Sequence, residues 1–324
     1  MQPINNPIIS VIMPVYNIET YLVDAVQSVT DQAFPSFELI LINDGSTDNS
    51  GIICEQLSLQ DSRIKVIHQD NIGLGATRNK GLTVATGEFV TFIDSDDFVD
   101  KNYLDSLYLQ LTNKNADMAV ASIVQYYGLD DKRNSGVFQT NDTCSWDGSE
   151  FAEMGLYYET QLSQCGRLCR TAKAREFLAN PGALYEDVFP SYQLAMSCQK
   201  VVGSTATYFY RMREASIQHQ PFTDGQVDRL REAIRLEKLV TETNPSAVGA
   251  VEHHVVSSGF NVLRKLPSGK RYALIRKNIQ KEIDLRRWRV IVNNRARVKV
   301  RVALGISLIS YKLLNPLYRF GKSI

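Results

Sequence analysis

Glu88-Phe89-Val90-Thr91-Phe92-Ile93-Asp94-Ser95-Asp96-Asp97 carries a strand-forming run straight into three carboxylates, and a fourth, Asp100, follows. An unbroken run of apolar and β-branched residues describes a strand buried on both faces. Carboxylates spaced this closely repel one another, so the loop needs a positive charge beside it. A hard divalent cation with oxygen ligands suits it, with phosphate oxygens completing the shell. An Asp-x-Asp alone is weak, because solvated loop acids are commoner. What strengthens it is its place at a strand end, after three earlier polar strand ends.

Upstream, strands and helices alternate. Ile8 to Met13, Phe37 to Ile42 and Ile64 to Ile67 read as buried strands. Between them, Glu19 to Gln32, Ile52 to Leu59 and Leu74 to Ala85 carry helical spacing, the last stopped by Gly87. That order predicts an α/β fold: a mostly parallel central sheet with helices on both faces. Ligands of such sheets sit at the carboxyl ends of the strands. There the sequence places Tyr16-Asn17, Asn43-Asp44-Gly45-Ser46, Asp70-Asn71 and the acid loop. Asp44 could accept a hydrogen bond from an imide N–H such as uracil's, or serve as a turn or cap residue. Tyr16 could stack on a base. Glu19 lies in a first helical turn, where an acid also suits the dipole. Arg78, mid-helix, could pair with a diphosphate or with the acids.

Further along, Tyr103 to Thr112 reads as helix and Met118 to Ile123 as strand. Gly128 to Gly148 is loop-like, Phe151 to Tyr158 helical, and Val201 to Gly203 and Thr207 to Tyr210 are late strands. From Gly225 only helical patterns remain, so a boundary is expected near residue 220. The expected organisation is a catalytic domain over 1–220 (a nucleotide-sugar half, 1–110, and an acceptor half, 111–220) and a helical C-terminal appendage over 221–324.

Ile9-Ser10-Val11-Ile12-Met13-Pro14-Val15-Tyr16-Asn17, Leu41-Ile42-Asn43-Asp44-Gly45-Ser46-Thr47-Asp48, Asn71 to Leu82 and Thr86 to Asp97 together resemble glycosyltransferase family 2, nearly unbroken from Ile8 to Leu107. The resemblance implies the GT-A nucleotide-diphospho-sugar transferase fold, a UDP-sugar donor, and inversion at the anomeric carbon. It implies Mn2+ or Mg2+ on Asp96, with Asp94 near the metal or ribose. Pro14, Tyr16, Glu19, Asp44, Asn71, Arg78, Asp94 and Ser95 are the residues expected around the nucleotide-sugar. A sparser likeness to bacterial capsule and exopolysaccharide members follows in Gly166 to Arg170, Leu184 to Phe189 and Tyr208 to Ile217. Arg167 stands where Lys is usual there, and Cys169 where an aromatic is. In that family the residue at Asp187 is the general base. An acceptor hydroxyl needs such a base, and Glu186 is the competitor. Arg211 and Arg213 could contact phosphate or cap a sheet edge, and His219 could be a metal or phosphate ligand or a surface histidine.

The bulk charge of +1 hides an asymmetry. From Val262 onward seventeen Lys and Arg face two acids, Glu282 and Asp284, so an acidic body carries a basic tail. Arg286, Arg287, Trp288, Arg289, Arg295, Arg297, Lys299 and Arg301 suit an anionic membrane surface. They also suit packing on the body or across a homodimer. No nucleic-acid module is legible. Five scattered cysteines read as reduced thiols. With no secretory leader at the start and no apolar run of about 20 residues, a cytoplasmic location is expected, either free or peripheral on the inner membrane face.

The leading functional expectation is a hexosyltransferase acting on a sugar hydroxyl of a growing bacterial surface polysaccharide, the glycan acceptor being lipid- or protein-linked. The same chemistry could extend an O-glycan on a serine-rich adhesin. A sugar-1-phosphate nucleotidyltransferase would need a Gly-rich basic loop where Pro14-Val15-Tyr16-Asn17 stands. A catalytically inactive partner subunit would lack the acids, and Asp94, Asp96 and Asp187 are all present.

Overall fold

The computed structural model describes residues 7–129, 131–182, 184–213 and 222–314. Ser216-Ile217, His219 and Asn315 to Tyr318 lie outside the described residues. The described chain forms two compact units. One holds the described residues of 7–152 with 161–182 and 186–213; the other holds 153–160, 184–185 and 222–314.

The larger unit is built on a ten-stranded sheet. In chain order it uses β1 (Ile9–Val15), α1 (Leu22–Thr30), β2 (Phe37–Asp44), α2 (Ser50–Gln60), β3 (Ile64–Gln69), α3 (Leu74–Val84), β4 (Phe89–Phe92), β5 (Phe98–Val99), α4 (Tyr103–Asn113), β6 (Met118–Tyr126), β7 (Ser135–Phe138), β8 (Ser145–Trp146), the start of α5 (Gly148–Leu156), β9 (Arg167–Arg170), α6 (Thr171–Ala174), α7 (Val188–Ser197) and β10 (Val201–Arg211). The order across the sheet is β3-β2-β1-β4-β9-β6-β10-β5, with β7 on β6 and β8 on β10. β3, β2, β1 and β4 run parallel. Every residue of β1, β2 and β4 is buried, which is why they read as continuous apolar runs rather than alternating ones. Parallel pairing brings Val15 level with Asn43, and Asp44 level with Gln69, so the polar strand ends gather along one edge.

Beyond β4 the sheet is mixed. β9 pairs antiparallel with both β4 and β6. The two late strands expected from sequence are one, β10, whose register on β6 shifts between Gly203 and Thr207. Gly203 and the small residues after it break the apolar run there, so the sequence looked interrupted where the strand is only bulged. The stretch expected to be loop contains β7 and β8, short pieces that carry little pattern.

The smaller unit contains α8 (Asp228–Thr243), α9 (Val248–Lys265), α10 (Ala273–Val292) and α11 (Val298–Ile309). Leu230, Val255, Val256, Phe260, Ile279, Ile283, Val290, Val300 and Leu304 form its core. α9 is buried all round from Ala250 to Leu263, although it carries Glu252, His253, His254, Ser257, Ser258 and Asn261. Burial of so many polar groups on one helix demands partners for each.

Candidate active site

The acid loop after β4 and the segment before α7 meet at one side chain. Arg78, on α3 and only 3% exposed, donates Nη2–H to Asp94 Oδ1 (2.7 Å) and Nη1–H to Glu186 Oε1 (3.0 Å). Burial works against its charge, yet Asp94 and the acids beyond it hold the guanidinium well above its ordinary range. Gly75, one helical turn before Arg78, lets α3 come this close. A Cβ there would meet Glu186 Cγ at 2.7 Å. Asn79 fastens the same junction, exchanging two 2.9 Å hydrogen bonds with the backbone of Ala179.

The four acids of the loop divide by role. Asp97 is 1% exposed. It accepts from Tyr208 Oη–H (2.6 Å) and Arg211 N–H (2.8 Å), and the Tyr208 oxygen accepts from Asp94 N–H (3.2 Å). Asp100 accepts from Asn102 N–H (2.9 Å) and from Thr207 N–H. These two fasten the loop to β10 and to the start of α4, which corrects the expectation of four acids sharing a cation. Asp94 and Asp96 remain. Asp96 Oδ2 accepts from Arg213 Nε–H at 2.6 Å. Burial first, and then the like charge of Asp94, raises the Asp96 carboxyl against the pull of Arg213.

This pair fits a divalent cation of modest protein ligation. Among the described residues each carboxylate gives one oxygen to an arginine, Asp94 Oδ1 to Arg78 and Asp96 Oδ2 to Arg213, which leaves Asp94 Oδ2 and Asp96 Oδ1 for a cation. No group of three or more His, Cys, Asp or Glu side chains converges on a metal position among the described residues. A cation held here would take its remaining ligands from phosphate or water. Ser95, between them, is buried.

The β1 and β2 ends interlock. Asp44 accepts at Oδ1 from Ile72 N–H (2.9 Å) and Gln69 Nε2–H (2.8 Å), and at Oδ2 from Gly73 N–H (3.0 Å). It therefore ties down the entry to α3, the capping alternative weighed for it, and Oδ2 keeps acceptor capacity to spare. Gly45 adopts φ +69°, and a Cβ on it would stand 2.7 Å from Asn71 N. Glu19 Oε2 accepts from Asn49 N–H (2.9 Å) and Nδ2–H (2.7 Å), bracing the start of α2. Asn17 Oδ1 accepts from Thr47 N–H at 2.7 Å. Pro14 is buried in β1 beside Ile42, while Asn71 and Tyr16 are exposed, Tyr16 at 51%. The structure thus gathers Arg78, Asp94, Asp96 and Glu186 into one charged network. It strings Tyr16, Asp44 and Asn71 along the neighbouring loops.

Asp187 stands at the N-cap of α7 and forms no ion pair among the described residues. Burial raises its carboxyl, Arg78 pulls it down and Asp94 pushes it up. Glu186 is raised to about 7 by burial and by Asp187, against Arg78. Sequence reasoning missed Tyr208, which joins the acid loop to β10, and the bond from Arg213 to Asp96. Tyr208 lies on β10 and Arg213 just past its end, both distant in sequence, and nothing local signals the pairing.

The fold matches known proteins along its length. A family model described as Glycosyl transferase family 2 matches residues 10–164. Glycosyltransferase GlyG of Streptococcus pneumoniae serotype 4 is 32% identical over 232 residues, covering 66% of this chain and 74% of GlyG. The chain belongs to glycosyltransferase family 2. Glycosyltransferase GlyA of the same organism is 32% identical over 242 residues, which is 70% of this chain but only 34% of GlyA. This family-2 chain therefore spans about a third of one curated relative and three quarters of another. Residues 1–349 of S. aureus TarS, solved with UDP-GlcNAc, superpose with a TM-score of 0.65 at 20% identity. The match covers 97% of this chain and 92% of that one, and establishes a shared GT-A fold.

Proposed function

We propose that this chain is an inverting, metal-dependent hexosyltransferase that moves a sugar from a UDP-sugar to a sugar hydroxyl of a bacterial surface polysaccharide. The observation that carries the reading is Arg78, whose one guanidinium touches both Asp94 and Glu186. A donor diphosphate at the acid loop and an acceptor hydroxyl at Glu186-Asp187 would then lie on either side of one cation. UDP-GlcNAc is the nucleotide-sugar in the TarS structure, and a UDP-linked donor is proposed here on that likeness.

Asp187 serves as general base. Its carboxylate takes the acceptor proton as the new C1–O bond forms and the bond from C1 to the diphosphate oxygen breaks, inverting the centre. Glu186 is the weaker candidate because Arg78 already occupies one of its oxygens. Burial raises the Asp187 carboxyl, which strengthens it as a proton acceptor. Asp96 and Asp94 hold Mn2+ or Mg2+, which when bound supplies positive charge to the leaving diphosphate. Tyr16 and Asp44 face the base, with Pro14, Glu19, Asn71, Arg78, Asp94 and Ser95 around the rest of the nucleotide-sugar. In domain terms, 1–110 serves the donor, 111–220 the acceptor, and 221–324 is the helical appendage.

The proposal extends to an anionic membrane surface. No helix among the described residues is long and apolar enough to cross a membrane. α10 nevertheless exposes Leu274, Leu285, Trp288 and Val292 along one face, with Lys277 and Lys281 exposed on the same side.

The test is a hydrolysis screen over UDP-, GDP- and dTDP-sugars with and without chelator. Turnover of a UDP-sugar that is lost with EDTA and in Asp96→Ala supports the reading. Turnover indifferent to both sinks the metal assignment, and preference for GDP- or dTDP-sugars sinks the donor.

A further inference from the structure

One face of α9 carries His254, Ser258 and Lys265, spaced i, i+4 and i+11, so their side chains lie in one row. His254 is 6% exposed and Ser258 fully buried. Among the described residues His254 Nδ1, Ser258 Oγ and Lys265 Nζ are all shut off from solvent without a hydrogen-bond partner, as is Arg264 Nε beside them. Three orphaned polar groups in a row are costly, and buried polar groups of native proteins are normally satisfied.

Arg229 acts electrostatically on His254, and Arg264 and Arg229 on Lys265. Tyr158 stacks on His254 with ring centroids 5.2 Å apart, and Arg297 lies over the other ring of that pair, 5.4 Å from the Tyr158 centroid. Arg229 sits over Tyr185 at 5.1 Å. None of Arg229, Arg264, Lys265 or Arg297 forms an ion pair with a carboxylate among the described residues. Other arginines of the unit are neutralised: Arg286 by Glu237 and Glu282, Arg287 by Asp284, Arg289 by Glu252, Arg295 by Glu153 and Glu159. The contrast separates compensated cations from uncompensated ones.

We propose that His254, Ser258 and Lys265, with Arg229 and Arg297, form a binding site for a phosphate or diphosphate group within the helical unit. Phosphate oxygens are acceptors only, and each orphan here can donate: Lys265 as ammonium, Ser258 through its hydroxyl, and His254 from Nδ1 as a neutral imidazole. The two arginines supply charge and planar forks. Burial together with Arg264 and Arg229 holds the Lys265 ammonium below its ordinary value, as expected of a cation lacking its counter-ion. Nothing here depends on the UDP-sugar reading.

The experiment is calorimetric titration of the whole chain with inorganic pyrophosphate in EDTA, which silences any metal-dependent diphosphate site. One saturable site is expected. Lys265→Met should weaken it about tenfold, the loss of one charge-assisted hydrogen bond. Lys265→Arg should bind within about threefold of wild type, as a retained charge-assisted donor would, and Asp96→Asn should leave it unchanged. Without pyrophosphate, Lys265→Met should melt at or above the wild-type temperature, because it relieves like-charge repulsion, so lost binding would not reflect lost folding. No saturable site, or equal binding by Lys265→Met, overturns the proposal, as does loss in Asp96→Asn alone. Competition identifies the source of the group. Phosphatidylglycerol vesicles that displace pyrophosphate, where phosphatidylcholine vesicles do not, point to a lipid headgroup. Pyrophosphate that stays bound against both points to a soluble phosphoester.

Discussion

The two units hold opposite errors of charge. In the sheet unit Asp94, Asp96, Asp97, Glu186 and Asp187 crowd around Arg78, Arg211 and Arg213, and negative charge is in excess. In the helical unit Arg229, Arg264, Lys265 and Arg297 gather with no carboxylate among the described residues, and positive charge is in excess. A buried charge imbalance is expensive, so a chain that keeps one keeps room for a counter-charge from outside. The first site asks for a cation and the second for an anion. The largest effect that would break this comparison is at Asp187. If it removes the acceptor proton, Asp187→Asn should lower kcat about 10²- to 10⁴-fold. UDP affinity, measured by calorimetry with Mn2+, should hardly move. Equal losses in kcat and UDP affinity would make Asp187 part of the donor site instead.

The next effect reads stability. Arg78→Met removes the one cation shared by Asp94 and Glu186, leaving buried Glu186 and half-buried Asp94 without it. We expect a loss of about 3–5 kcal/mol in denaturant unfolding, the usual result of breaking a buried pair from one side. A loss under ~1 kcal/mol, the range of an exposed surface pair, would mean that the acids adjust without Arg78. The helical unit gives the complementary test. Burial holds His253 down to about 4 and His254 to about 3. Both are neutral when folded and take up protons near pH 6.5 when unfolded. Their contribution is therefore present above about pH 6.5 and is lost as pH falls toward the folded values. Roughly 2 kcal/mol each should disappear between pH 7 and pH 5. His254→Asn should flatten its share of that slope, and a slope of the opposite sign would contradict the burial of these rings.

What was legible in the sequence was the local part. β1, β2 and β4 announce themselves because every residue in them is buried, so apolar runs and strand ends coincide. Asp94 and Asp96 stood out for the same reason. Arg213 on Asp96 and Tyr208 between Asp94 and Asp97 did not, since each pairs residues more than 110 apart. Asp97 and Asp94 are chemically alike in sequence. Only burial separates a carboxylate that fastens β10 from one with an oxygen to offer. The basic tail misled in the opposite direction: its Arg-rich stretch reads as one positive surface, yet Glu237 and Glu252 on α8 and α9 neutralise Arg286 and Arg289.

That neutralisation makes the smallest prediction the most discriminating one for the tail. A charge already paired inside the unit offers little to an anionic membrane, whereas an exposed, unpaired lysine keeps its full attraction. Lys281, on the same face of α10 as Leu285, Trp288 and Val292, should therefore matter more than the arginines that dominate the sequence pattern. Lys281→Ala should weaken co-sedimentation with phosphatidylglycerol vesicles about fivefold, as expected for ~1 kcal/mol per basic residue near such a surface. Arg289→Ala should do less to vesicle binding while costing stability, because it strands Glu252, which is buried on α9. If Arg289→Ala were the more damaging to vesicle binding, the ion pair would have to open at the membrane. The apolar face of α10 would then not be the surface that docks.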